Sequence, residues 1–182
     1  MAWTAPMTAT ANTAFTAANF NQHVRDNLLE TAPGKATGGV TNGSYPVKSA
    51  TNQITFRTPQ QVEVTASQST SSSSYTNLST SGPSVTVVHG PMVYVTWHAS
   101  ISNNSINSSY MGIQLSGSNT FSATDDLALR HRDPTGSNGE NMMSMNYLFT
   151  GLTPGTTTFQ AKYRSLGGTA TFRYRRVCVF PL

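Results

Sequence analysis

Charge is scarce in this chain. Only 10% of its 182 residues are Asp, Glu, Lys or Arg, against about a quarter in ordinary domains. Ser, Thr, Asn and Gly stand in their place. The formal net charge is only +4, and apolar residues fall in regular runs, which excludes the composition of a disordered polyelectrolyte. Cysteine is nearly absent. Cys178 is the single one, so no intrachain disulfide exists, and its strand position predicts a buried, inert thiol. No apolar run approaches the roughly 18 residues of a membrane-spanning helix. The N-terminus lacks the basic and apolar regions of a Sec signal. The expectation is a protein made in a cytosol, with no membrane partner.

Catalytic signatures are missing too. There is no G-x-S-x-G, no P-loop and no dinucleotide fingerprint. The four histidines, His23, His89, His98 and His131, have no zinc-ligand spacing. Asp125-Asp126 is the only acidic pair and reads as the start of a loop. Carboxylates for glycoside hydrolysis would have to come from Asp125, Asp126, Asp133 and Glu140, which cluster in one loop region. Met142, Met143 and Met145 read as gap-filling core and subunit contacts. The sequence therefore predicts no enzyme, no cofactor and no metal. Lys162, Arg164, Arg173, Arg175 and Arg176 are five of the eleven basic residues. They read as a solvated strand face rather than a nucleic-acid stripe.

What is present is alternation. From Met143 to Phe149, residues Met143, Met145, Tyr147 and Phe149 share a face. Phe159, Ala161 and Tyr163 alternate with Gln160, Lys162 and Arg164. Strand side chains point to opposite faces in turn, so one face packs and the other meets water. Gly167-Gly168 marks a tight hairpin turn. The return strand, Thr169 to Leu182, carries Ala170, Phe172 and Tyr174, then Val177, Val179 and Phe180, and is expected to be central. Val93 to Ser102 is the cleanest strand: Val93, Val95, Trp97, Ala99 and Ile101 line one face, and Tyr94, Thr96, His98 and Ser100 the other. Met111, Ile113 and Leu115 make another, and Asp126 to His131 a further one. Tyr94, Tyr110, Tyr147, Tyr163 and Tyr174 suggest a sugar-stacking platform, but Tyr147, Tyr163 and Tyr174 share faces with core residues and read as structural. About eight strands with frequent turns and no helix between them predict a mainly β, antiparallel sandwich or jelly roll.

The N-terminal third differs. Residues 1–32 read as an arm and an anchoring helix. The arm carries Trp3, Pro6, Met7 and Phe15. Thr16 caps a helix over Thr16–Leu29, with Phe20, Val24 and Leu28 on one apolar stripe, and Pro33-Gly34 ends it. About four turns are too few to be stable alone in water, so the stripe must dock. Residues 33–65 read as an extended linker with short strands at Ile54–Phe56 and Val62–Val64. The sandwich is expected over 66–182, with the boundary between Thr58 and Ser67. Ala66 to Thr80, almost wholly Ser and Thr, reads equally as linker or as edge strand.

Two stretches resemble a known family. Phe15-Thr16-Ala17-Ala18-Asn19-Phe20-Asn21-Gln22-His23-Val24-Arg25-Asp26-Asn27-Leu28-Leu29, led by Trp3-Thr4-Ala5-Pro6, is similar to an element of small structural proteins of tailed bacteriophages, especially those of actinobacteria. The closing segments Phe159–Arg164, Gly167–Phe172 and Arg176–Leu182 resemble the last hairpin of the same proteins. They also resemble the final strands of trimeric jelly rolls of the tumour-necrosis-factor and C1q type. The resemblance implies a non-enzymatic virion protein, either a capsid decoration protein on the outer shell or a minor tail or fibre protein. In the first case Trp3, Phe15, Phe20, Val24, Arg25, Asp26 and Leu28 anchor it to the major capsid protein. A homotrimer would form through one sheet, with Tyr94, His98, Arg173, Tyr174 and Arg175 as interface candidates. In the second case the knob binds a host-surface glycan through the loops Asn103–Ser109 and Asp133–Glu140, and the partner is a tail protein. Neither reading involves nucleic acid.

Overall fold

The computed structural model describes residues 14–25, 41–50 and 53–182. They fall into two compact units, one reaching Phe56 and one running from Arg57 to Leu182.

In the first unit, helix α1 (Ala17–Phe20) begins where its cap predicts. The Thr16 hydroxyl accepts the Asn19 N–H at 3.2 Å, satisfying one of the free donors at a helix start. The chain continues as a π-helical segment over Asn21–Arg25 instead of an unbroken α-helix. The rest of the expected helix, from Asp26 on, lies outside the described residues. Strands β1 (Tyr45–Ala50) and β2 (Gln53–Arg57) pair as a two-stranded sheet.

The second unit holds nine strands: β3 (Gln60–Val64), β4 (Gln68–Thr70), β5 (Ser84–His89), β6 (Val93–Asn103), β7 (Ser108–Gly117), β8 (Ala128–Arg132), β9 (Asn141–Phe149), β10 (Gly155–Ser165) and β11 (Ala170–Pro181). They form two antiparallel sheets. One has the order β5-β10-β7-β8. The other has the order β3-β11-β6-β9, with β4 also on β11. Apart from β3–β4 and β7–β8, which stay in one sheet, successive strands cross between the sheets, as in a jelly roll. β11 is paired on both sides, as its apolar run suggests. The expected linker is shorter than its composition implies, because β3 zips onto β11 from Arg175↔Val64 to Val179↔Gln60. The Ser/Thr-rich stretch is strand and bridge: β4 pairs with β11, and Thr76 exchanges backbone bonds with Tyr163 at 2.9 Å.

The core lies where the alternation predicts. Val93, Val95, Trp97, Ala99 and Ile101 of β6 face Met111, Ile113, Leu115, Phe159, Ala161 and Tyr163 of the opposite sheet, all buried in one cluster. A side chain at Gly112 on β7 would crowd its neighbours. A Cβ there would sit 3.1 Å from the Ala123 methyl and 3.2 Å from the Tyr75 ring.

The sandwich has a base and a tip. At the base, Arg57 Nη1 donates to the Val88 carbonyl at 2.7 Å, and the Gly90 N–H donates to the Leu182 carbonyl at 2.8 Å. At the tip sit the loops 104–107, 133–140 and 166–169. Eleven-residue β6 separates the ends by about 35 Å, at roughly 3.3 Å per residue.

One irregularity reshapes β11. Its register on β6 slips between Arg173 and Arg176, and Tyr174 takes a left-handed φ of 49°. This β-bulge reverses the alternation. Ala170 and Phe172 point inward before it, and Arg175, Val177 and Val179 after it.

Candidate functional site

Three surfaces carry the residues that the sequence singles out. The first is the outer face of the β3-β11-β6-β9 sheet. Four cross-strand rows cover it, read from the registers: Met142, Ser100 and Arg173; Ser144, His98 and Arg176; Asn146, Thr96 and Cys178; Leu148, Tyr94 and Phe180. Tyr94 and Phe180 pack with ring centroids 6.1 Å apart, and Leu148 and Met142 are exposed. The charges on this face are paired. Arg176 Nη2 lies 2.9 Å from Glu63 and Arg173 Nη2 lies 3.5 Å from Glu140. The Ser100 hydroxyl donates to Glu140 as well. His98 sits among them opposite Trp97, as predicted. Burial lowers its pKa and Arg176 lowers it further, against the pull of Glu63.

This face brings Tyr94, His98, Arg173 and Tyr174 to one side and removes Arg175 from the set. Arg175 is fully buried. Its Nη2 donates to Gln68 Oε1 at 2.8 Å, and its guanidinium lies 5.4 Å from the Tyr163 ring centroid. The bulge is the physical reason: it turns Arg175 inward and Tyr174 outward. Hence Tyr174 is 47% exposed instead of packed in the core, and only part of the basic stretch is a solvated face. Cys178 also departs from expectation. Its parity places it on the outer face, partly exposed, and burial chiefly raises its pKa. Tyr147 keeps inward parity yet is 40% exposed, because it lines a cavity of about 280 Å³ at the base with Phe121, Leu127 and Phe149.

The second surface is the tip. Its loops are locked by two buried hubs. Asn103 Nδ2 donates to Ser109 Oγ at 2.8 Å and Ser165 Oγ at 3.1 Å, and its Oδ1 accepts the Ser105 N–H at 2.9 Å. Asp133 accepts the Thr135 hydroxyl at 2.7 Å and the N–H groups of Thr135 and Gly139 at 2.9 and 2.8 Å. These bonds hold its carboxyl well below the usual carboxylate range. The sequence shows both loops as polar turns but not the hubs, since Asn and Asp are ordinary turn residues. Asp125, expected at a loop start, opens a 3-10 turn. It pairs with Arg164 and accepts the Tyr75 hydroxyl at 2.9 Å.

The third is the N-terminal helix. Phe15 and Phe20 meet edge to face with centroids 6.2 Å apart, yet they are 55% and 47% exposed. Val24 is partly buried. Trp3, Asp26 and Leu28 lie outside the described residues, as does the side chain of Arg25. Among the described residues no cluster of three or more His, Cys, Asp or Glu is placed to hold a metal ion.

No protein-family model and no curated protein matches the chain. Among solved structures it is similar to one described as that of infectious bursal disease virus, Gx strain, at 11% identity and a TM-score of 0.40. That match covers 76% of this chain and 40% of the other. It is also similar to the enzymatically active domain of tailspike protein 4 of bacteriophage CBA120, at 14% identity and a TM-score of 0.32, covering 66% and 19%. The chain thus matches less than half the length of either.

Proposed function

We propose that this chain is a structural component of a bacteriophage virion, a decoration (minor capsid) protein on the outer shell. Its N-terminal arm and helix grip the major capsid protein and its sandwich projects outward. The observation that carries this reading is the exposure of Phe15 and Phe20. No residue of α1 is buried, and a helix this short gains little from its own hydrogen bonds. A partner that covers the two rings would stabilise it. The same stretch carries the phage-like motif. Within the sandwich unit the chain begins at the base, where Arg57 donates to the Val88 carbonyl. The protein is made in the host cytoplasm and ends on the particle, and no catalytic step is assigned to it. Removing residues 1–30 tests the anchor: the truncated chain should no longer bind virions. Binding that survives the truncation contradicts it.

The outer face of the β3-β11-β6-β9 sheet suits self-association into a homotrimer. Its ion pairs cancel in sign, and its apolar residues Tyr94, Phe180, Leu148 and Met142 offer area that a second copy would cover. Tyr94, His98, Arg173 and Tyr174 are the contacts assigned there, without Arg175.

A second reading rests on the tip. Rigid loops rich in Asn, Ser and Thr, about 35 Å from the base, suit a minor tail or fibre knob that meets a host-surface glycan. Loss of cell binding on changing residues 104–107 or 135–138 would favour it over decoration.

A further inference from the structure

Two exposed guanidinium groups of the sandwich, Arg130 and Arg132, form no salt bridge with a described residue. β8 is the outer strand of its sheet. Its Leu129 and His131 point inward and are buried, so Arg130 and Arg132 point outward together. Both are exposed, about 7 Å apart along the strand. Each is held through its Nε alone: Arg130 donates to Ser108 Oγ at 3.2 Å and Arg132 to the Ile106 carbonyl at 3.1 Å. Their terminal nitrogens stay available beside the tip.

The carboxylates that could neutralise them are engaged elsewhere. Asp125 is with Arg164 and Tyr75. Asp133 is spent on its own turn, Glu140 is with Arg173 and Ser100, and Glu63 is with Arg176. Asp126 is exposed next to Asp125 and forms no salt bridge with a described residue. Arg130 and Arg164 also flank the Tyr110 ring, at 5.9 and 4.8 Å from its centroid. Both distances are within cation–π reach of the phenol ring. The result is a fixed, positively charged strip at the tip end of an exposed edge.

We infer that Arg130 and Arg132 form a subsite for an anionic surface polymer, one that carries phosphate or carboxylate groups along its chain. Guanidinium forks bind such oxygens in pairs, and repeated charges at strand-like spacing would engage both arginines. The inference rests on the tip facing away from the particle. Its test uses the purified protein, so failure here leaves the virion reading standing, and absence from virions leaves the subsite standing.

The full chain is titrated on three immobilised probes: a glycerol-phosphate polymer, polygalacturonate and neutral dextran. Binding to one or both anionic polymers and none to dextran is expected, weakening as salt is raised. The two anionic arms distinguish phosphate from carboxylate. Arg130→Gln with Arg132→Gln should cost at least about tenfold in affinity. Arg130→Lys with Arg132→Lys keeps the charge, loses the fork and should fall between. Lys35→Gln with Lys48→Gln removes the same charge elsewhere and should bind as the unaltered chain does. No binding to either anionic polymer, or equal losses in both Gln pairs, overturns the subsite. Unchanged binding with new self-association on gel filtration also overturns it and leaves the arginines as guards of an open edge.

Discussion

Tyr174 and Arg175 are neighbours in sequence and lie on opposite sides of the same sheet. Tyr174 stands 47% exposed on the outer face at a φ of 49°. Arg175 is sealed inside, its guanidinium 5.4 Å from the Tyr163 ring centroid. The bulge that separates them places a backbone conformation unfavourable for tyrosine and a buried cation in the middle of the central strand.

Arg175 is therefore a structural cation. Its Nη2 bond to Gln68 and its weaker contacts to the Ala66 and Gly82 carbonyls, at 3.4 and 3.5 Å, tie the β3–β5 connection to the core. Arg175→Ala should lower unfolding free energy by about 2–4 kcal/mol, from lost packing and stranded acceptors. Urea unfolding of the two proteins measures it. A change within about 0.5 kcal/mol, the scale of ordinary surface substitutions, would contradict the buried role.

Gly112 is closely covered by two neighbours. The Ala123 methyl and the Tyr75 ring already close on its Cβ position. Gly112→Ala should cost about 1 kcal/mol, because the Ala123 methyl and the Tyr75 ring must each give by a few tenths of an ångström; urea unfolding measures it, and an unchanged stability would contradict the close fit.

Acid should act through Asp133. The Thr135 hydroxyl first, then the Thr135 and Gly139 N–H groups, hold its folded pKa far below the unfolded value. A carboxyl depressed in this way stabilises the fold fully above the unfolded pKa of about 3.9. That stability is lost as pH falls below it, toward the folded value. Asp133→Asn should be less stable than the parent at pH 7, with the gap narrowing below about pH 4. A gap that is constant with pH would contradict the assignment.

Cys178 reports on the outer face of the β3-β11-β6-β9 sheet, because it is the only thiol and lies in the row of Thr96. If copies associate there, maleimide labelling at pH 8 should slow as protein concentration rises. Tyr174→Ala should restore fast labelling and shift the mass seen by light scattering to that of one chain. Labelling independent of concentration would contradict this interface.

Much of the sandwich is legible in the sequence because its strands alternate without interruption. β6 and β10 present their inner faces at every second residue, and nothing local competes. β11 carries its bulge in plain sight, since its apolar positions shift from even (Ala170, Phe172) to odd (Val177, Val179). What hides the consequence is Arg175, a charge at the first position of the new parity, where burial depends on Gln68 and Gly82 far away in the chain. The stretch 66–80 is opaque for a related reason. Its order comes from backbone pairing with β10 and β11 and from partners distant in the chain, such as Asp125 for Tyr75 and Arg175 for Gln68. The tip was visible as two polar loops. The hubs that lock it, Asn103 and Asp133, look like any turn residues until the loops meet. The outer face was legible in part: parity gave Tyr94 and His98, whereas Tyr174 and Cys178 needed the register.

We propose that this chain sits on the outer shell of a virion. The most direct test is the copy number of the chain relative to the major capsid protein in purified particles, by quantitative mass spectrometry. Decoration predicts a ratio within a small factor of one. A ratio of a few per cent would contradict decoration and move the protein to the tail, and absence from the particles would contradict the virion reading altogether.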